Sequence, residues 1–149
     1  MDETANLKLP FILPSQAQKH VTHNESLQLL DAIVQLGVLD RDLTTPPAEP
    51  AEGDRYIVAA PASEAWEGKE GEIAAFQDGA WSFLVPRMGW RAWVGDEQAI
   101  LVWDGSGWID ILKQFQHVEL FGIGTQADAQ NVFAAKLNKA LWGYDFMGD

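Results

Sequence analysis

The sequence predicts an α+β fold, mostly β, in which an N-terminal arm and a helix pack on an antiparallel meander of about five or six short strands. Three observations predict it. One early window carries apolar residues at helical spacing. From Asp54 onward the chain breaks into short apolar runs separated by turn residues. Two pairs of those runs are joined through Asp-Gly, the dipeptide that supplies the positive φ a tight hairpin needs.

The elements follow in order. Residues 1–14 read as an extended docking arm. Pro10 and Pro14 bracket Phe11, Ile12 and Leu13, and proline disfavours a helix both at itself and at the residue before it. Residues 15–37 read as the helix. Thr22-His23-Asn24-Glu25 has the form of a capping box, and Ser15 to Gln18 offers an earlier one. Leu27, Leu30 and Val34 then share one face, while Leu29, Ile33 and Leu36 share an adjacent one, and Gly37 stands where a helix commonly ends. An apolar stripe that wide suggests two partners. One is the domain's own sheet. The other is either the same helix in a neighbouring subunit or the arm residues Phe11, Ile12 and Leu13.

Residues 38–120 read as a Trp-rich β meander. Its proline-rich opening, 43–53, suits a stiff connector. Strands are expected at 55–58, 72–76, 81–85, 89–94, 99–103 and 108–112. The two hairpins, IAAFQDGAWSFL and ILVWDGSGWIDI, repeat one plan, with an aromatic before the turn (Phe76, Trp103) and a tryptophan after it (Trp81, Trp108). Such aromatics face each other across a hairpin and add roughly 0.2–1 kcal/mol per pair over alanine. Residues 121–149 read as the start of a following module. Thr125 to Asp128 resembles a helix start, but Gly122, Gly124, Asn131 and Asn138 weaken the helix.

Composition narrows the function. The chain has 149 residues, with 22 Asp+Glu against 10 Lys+Arg and a formal net charge of −12. The basic residues are scattered, so a phosphate backbone or an anionic membrane is a poor partner. There is no cysteine, which removes disulfides, thiolate zinc sites and cysteine nucleophiles together. No apolar run is long enough to span a bilayer. The N-terminus carries no signal-peptide pattern, so assembly in a bacterial cytoplasm is expected.

Catalytic signals are weak. His20 and His23 lie a helical turn apart with Glu25 beyond, but a third metal ligand is missing, and they read as polar residues of a helix start. The acid pairs Asp40 and Asp42, Glu64 and Glu67, and Asp96 and Glu97 are what a strongly acidic surface produces. The serine in Asp104-Gly105-Ser106-Gly107 sits at a hairpin tip, not at a strand-to-helix elbow. No enzyme activity, cofactor or metal is expected. The tryptophans remain. Flat aromatics on a rigid β surface stack on the C–H faces of sugars, and they equally fill a small core or a subunit interface. Trp66, Trp90 and Trp93 are the candidate glycan contacts. Trp90 and Trp93, three apart on one strand, must face opposite ways.

The segments SQAQKHVTHNESLQLLDAIV, TTPPAEPAEGDRYIV, GEIAAFQDGAWSFLVPRMGWRAWVGDE and LVWDGSGW resemble one alphaproteobacterial family. It is the uncharacterised domain near the N-terminus of phage tail-fibre and tail-tip proteins and in the head-spike genes of gene transfer agents. The resemblance runs from Leu9 to Trp108. The stretch FGIGTQADAQNVFAAKLNKA resembles the segment that follows this domain in longer members, usually GIN-x-TADATNRLAV, from which Gly124, Gln126, Gln130 and Val132 depart. The resemblance implies a virion structural protein at the particle surface, with no known catalytic residue. Two readings follow. In one the chain is the homo-oligomeric base of a head spike or tail fibre, a trimer or other closed ring bound to a capsid vertex, tail or fibre subunit, with Phe11, Ile12, Leu13, Leu27, Leu30 and Val34 at its interfaces. In the other it is an adhesin module gripping host capsule or envelope polysaccharide.

Overall fold

A computed structural model describes residues 3–12, 19–113 and 118–137, with the side chains of 19 and 20 left aside. The chain is a mostly-β α+β protein. Among the described residues it has one helix, α1 (Lys19–Ile33), and nine short strands in three small sheets. Two compact units divide it, residues 1–113 and 114–149. No helix among the described residues is long and apolar enough to cross a membrane.

Within the first unit the expected single meander is two sheets. β2 (Arg55–Ile57), β3 (Ile73–Gln77) and β4 (Ala80–Leu84) form an antiparallel three-stranded sheet. β1 (Gly37–Val38), β5 (Arg91–Val94), β6 (Ala99–Trp103) and β7 (Trp108–Asp110) form the other, in that spatial order. β1 is only two residues long and pairs parallel to β5, with Gly37 opposite Trp93. Nothing in so short a strand announces itself in the sequence. It also joins the sheets, because the Leu39 amide donates to the Arg55 carbonyl at 2.8 Å.

Both hairpins form in the expected register. Phe76 faces Trp81 and Trp103 faces Trp108, with ring centroids 5.1 and 5.6 Å apart in edge-on geometry. In the first turn Asp78 and Gly79 have φ of 52° and 72°, the paired positive values of a type I′ turn. In the second, the Asp104 carboxylate accepts the amides of Ser106 and Gly107 at 2.7 and 2.9 Å, which orders the loop from inside. Those amides, with the Ser106 hydroxyl, hold the Asp104 carboxyl below its ordinary pKa.

Two apolar clusters make the core. One combines Leu36, Val38, Ile57, Ile73, Ala92, Val94, Ala99 and Leu101, with Leu84, Trp90 and Trp108 against it. The other gathers Tyr56, Val58, Trp66 and Ala74 beneath Trp81 and Phe83. Strand alternation drives the first: Ala92 and Val94 point in from β5 while Arg91 and Trp93 point out.

α1 departs from expectation at both ends. It begins at Lys19, so Thr22 lies inside its first turn and cannot act as the cap; its carbonyl accepts the Ser26 hydroxyl at 2.9 Å. The earlier box at Ser15 falls outside the described residues. At the far end Gln35, not Gly37, takes the left-handed conformation, with φ 52°. Gly37 is instead the first residue of β1. The Arg55 guanidinium donates to the Asp31 and Ala32 carbonyls at 3.4 and 3.2 Å, satisfying acceptors of the last turn.

The second unit holds β8 (Phe121–Ile123) and β9 (Phe133–Ala135), paired parallel, with the rings of Phe121 and Phe133 stacked at 5.8 Å. The expected helix start at Thr125 is a turn: Asp128 accepts the amides of Gln130 and Asn131 at 2.9 and 2.7 Å and bends the chain back to β9. Local side-chain hydrogen bonding here wins over helix propensity.

Candidate functional site

Asp40 and Glu97, from two of the acid pairs, hold local structure. Asp40 accepts the amides of Asp42 and Leu43 and closes a turn. Glu97 chelates the Arg41 guanidinium, and Lys113 stands 3.9 Å from its second oxygen. The hydrogen bond from Arg41 lowers Glu97, and the same bond raises Arg41. These are structural uses of charge. Among the described residues no group of His, Asp and Glu could hold a metal ion. His23 is exposed on α1, and the His20 side chain lies outside the described set.

The helix face is the first surface of interest. α1 turns a polar stripe, not its apolar one, toward the arm and the first hairpin. Asn24, Gln28 and Asp31 are spaced four and three apart, on one side of the helix. Asn24 both accepts from the Ile12 amide and donates to its carbonyl, at 3.0 and 3.2 Å. Gln28 donates to the Asp78 carboxylate, while Gln77 donates to the Gln28 carbonyl at 2.9 Å. Asp31 is wholly buried and accepts the amides of Asn6 and Leu7. Burial alone would raise its pKa. The Leu7 amide, the Thr4 hydroxyl and the Asn6 donors outweigh it and leave the carboxyl below 3.8.

The arm thus docks on its own helix, by a compact turn and not as an extended segment, with the Thr4 amide donating to the Leu9 carbonyl at 2.9 Å. Its approach needs Gly53, where a Cβ would stand 2.8 Å from the Ala5 methyl. Because the arm takes the polar stripe, part of the apolar stripe stays out. Leu29, Leu30 and Val34 are 45%, 44% and 40% exposed, and Ile12 on the arm is 38% exposed. Leu27 and Phe11 are half-buried, and Leu13 lies outside the described residues. Of the expected interface set, Ile12, Leu30 and Val34 are therefore the open members.

The tryptophans divide sharply. Trp66 is fully buried, in a tight turn at Glu64–Trp66, with its ring 5.7 Å from Tyr56 and 5.2 Å from Trp81. It cannot meet a glycan, which corrects that assignment. Its indole N–H finds no partner among the described residues. Trp90 is half-buried against the first core cluster, ahead of β5, and its backbone pairs with Trp103 at 2.9 Å. Trp93 points outward and is 45% exposed. Trp81 and Trp108 are half-buried, less enclosed than core residues.

Trp93 stands over the second surface of interest, a cleft of about 360 Å³ between the end of α1 and β5–β6. Its lining includes Gln35, Leu36, Arg91 and Ile100. Sequence reasoning named Trp93 together with Trp66 and Trp90 without choosing among them, and it missed Gln35 and Arg91. Only the pairing of β1 with β5 brings the helix end beside that strand.

The family model for DUF2793, described as a protein of unknown function, matches residues 23–109. The chain belongs to the DUF2793 family. No curated protein matches it. The DUF2793 match opens within α1 and closes at the second residue of β7, so it takes in both hairpins, both core clusters and the cleft. The arm at residues 3–12 and the strand pair β8–β9 lie outside it.

Proposed function

We propose that this DUF2793 protein is a virion structural subunit, the base or anchor of a head spike or tail fibre in a phage or gene transfer agent, serving attachment to the host cell. The observation that carries the reading is the uncovered apolar face of α1. Leu29, Leu30 and Val34 stand open because the helix spends its polar stripe on the chain's own arm. An exposed apolar patch is where copies of a chain carrying −12 can meet by burying uncharged surface, with Glu25 one turn before Leu29 at its edge.

The second unit supports the same reading by itself. Parallel strands are ordinarily covered on both faces, and a two-stranded ladder is marginal in water. Yet Ile123, Val132 and Phe133 are exposed there. A neighbouring subunit of a larger assembly would cover these exposed side chains. The resemblance of Leu9 to Trp108 to tail-fibre and head-spike proteins names the kind of assembly. The proposed role calls for no catalysis and no cofactor, and it places the protein at the particle surface.

Two measurements on the full chain test it. Sedimentation velocity should show a closed oligomer, a trimer or another ring. Immunogold labelling of particles from the producing bacterium should decorate head vertices or tail. A monomer at high concentration together with unlabelled particles would overturn the reading.

A further inference from the structure

We propose that the cleft beneath Trp93 binds a pyranose that carries a carboxylate, a uronic-acid unit of an acidic polysaccharide. This goes beyond the assembly reading and does not depend on it.

The first support is the platform. Trp93 projects outward from β5 and is 45% exposed, while its neighbours Ala92 and Val94 are locked in the core. A half-open indole on a strand so anchored is a rigid, flat surface held before any ligand arrives. Strand register fixes its surroundings: Trp93 faces Ile100 across to β6, and Gly37 of β1 lies on its other side.

Charge is the second. Arg91 lies two residues before Trp93 on the same outward face, so the two side chains leave the strand roughly 6–7 Å apart. That matches a sugar ring stacked on the indole with its carboxylate reaching the guanidinium. Arg91 makes no salt bridge among the described residues. Among the described residues no carboxylate lines the cleft, although the chain has 22 Asp+Glu. Among the described residues the one charge in the lining is Arg91, a cation with no ion pair, and guanidinium binds carboxylate through two parallel hydrogen bonds.

A third support is Gln35. It is a non-glycine residue at φ 52°, a conformation uncommon outside glycine, asparagine and aspartate. It places an amide with no hydrogen-bond partner among the described residues at the rim of the cleft, where a sugar hydroxyl needs both a donor and an acceptor. Ile33 and Leu36 make the apolar wall below it. The volume of about 360 Å³ lies at the lower end of the range for small-ligand sites, about 300–1,000 Å³, and suits one or two sugar units.

The test is titration of the full chain with a galacturonate trisaccharide and with its methyl ester, read by tryptophan fluorescence and by the indole N–H signals in NMR. The acid should bind and shift one indole signal, that of Trp93. The ester should bind roughly tenfold more weakly, the effect of one charge-assisted pair. Trp93→Ala should abolish binding of the acid, and Arg91→Gln should reduce it to the level of the ester. Gln35→Gly keeps the backbone conformation and removes the amide; it should weaken both ligands. All three side chains point outward, so circular dichroism of the variants should match the parent. Equal binding of acid and ester overturns the proposal, as does retained binding in Trp93→Ala or no binding at millimolar sugar. A cleft closed to the sugar by a second copy of the chain, seen as quencher protection of Trp93 that rises with protein concentration, overturns it too. The oligomeric state and particle location are read separately and stand or fall without it.

Discussion

The two carboxylate oxygens of Asp31 accept the backbone amide of Asn6 at 3.1 and 3.0 Å, across 25 positions of sequence. The Asn6 side-chain amide adds a bond of 3.0 Å, and the same amide reaches the Gly53 carbonyl at 3.3 Å. One buried carboxylate thereby fixes the arm to the helix, and with it decides which helix face is left for others.

Asp31→Ala should release the arm. The part-buried bonds from the Asn6 and Leu7 amides would lose their charged acceptor, at a cost of roughly 1.5–3 kcal/mol. Limited proteolysis should then cut within residues 3–12 at a protease level that spares the parent. The pH dependence has a definite sign. The folded-state pKa of Asp31 is depressed below 3.8, so its contribution is complete above that value and is lost as pH falls through the lower folded value. Arm release in the parent chain should therefore appear only in strong acid. A parent arm that becomes protease-sensitive near pH 6 would contradict this assignment.

Gly53 and Gly79 both have positive φ, at 92° and 72°, but for different reasons. Around Gly79 a Cβ would meet nothing, so Gly79→Ala should cost only the backbone preference, roughly 1–2 kcal/mol. At Gly53 the added methyl meets Ala5 at 2.8 Å. Gly53→Ala should therefore also expose the arm to protease, while Gly79→Ala should leave it protected. Chemical denaturation and proteolysis of the two variants separate the effects.

What the sequence made legible was local. The first hairpin was predictable because Asp78 and Gly79 both take the positive φ that Asp-Gly favours, and the register of Phe76 with Trp81 then follows by counting. In the second only Gly105 does, and the Asp104 carboxylate orders the loop. The helix was legible in its period but not in its orientation. Its apolar stripe suggested the buried side, whereas Asp31 gains its worth from amides 25 residues away, which no local window contains. Two-residue β1 carried no pattern at all, so the split into two sheets and the cleft beside Gln35 were hidden with it. Trp66 lies in the polar run Ser63 to Lys69, where nothing marks it as core. Alternation said only that Trp90 and Trp93 face opposite ways, and the structure turns Trp93 outward and half-buries Trp90.

Trp66 offers a sharp test of the second cluster. Trp66→Ala should cost roughly 3–5 kcal/mol, the range for a large buried aromatic. Trp66→Phe should be much milder. It loses ring volume but also removes an indole N–H that has no partner among the described residues, a burden of about 1–3 kcal/mol. Urea unfolding followed by circular dichroism gives both numbers. A phenylalanine variant as unstable as the alanine one would mean that the indole N–H does find an acceptor in solution.

The apolar face of α1 carries the assembly reading, and a paired substitution examines it. Leu30 and Val34 lie one helical turn apart and are both exposed, so glutamate at each position meets water in an isolated chain. The fold should tolerate Leu30→Glu with Val34→Glu, changing stability by no more than roughly 0.5 kcal/mol, because neither residue belongs to a core cluster. In an oligomer joined through this face, each copy would bury two uncompensated charges beside those of its neighbour. Association should then collapse, with the double variant sedimenting as a monomer at concentrations where the parent does not. Leu30→Met with Val34→Ile, which keeps the face apolar, should associate like the parent. If the glutamate variant still assembles, the helix face is not the contact, and the exposed side chains of β8 and β9 become the surface to change next.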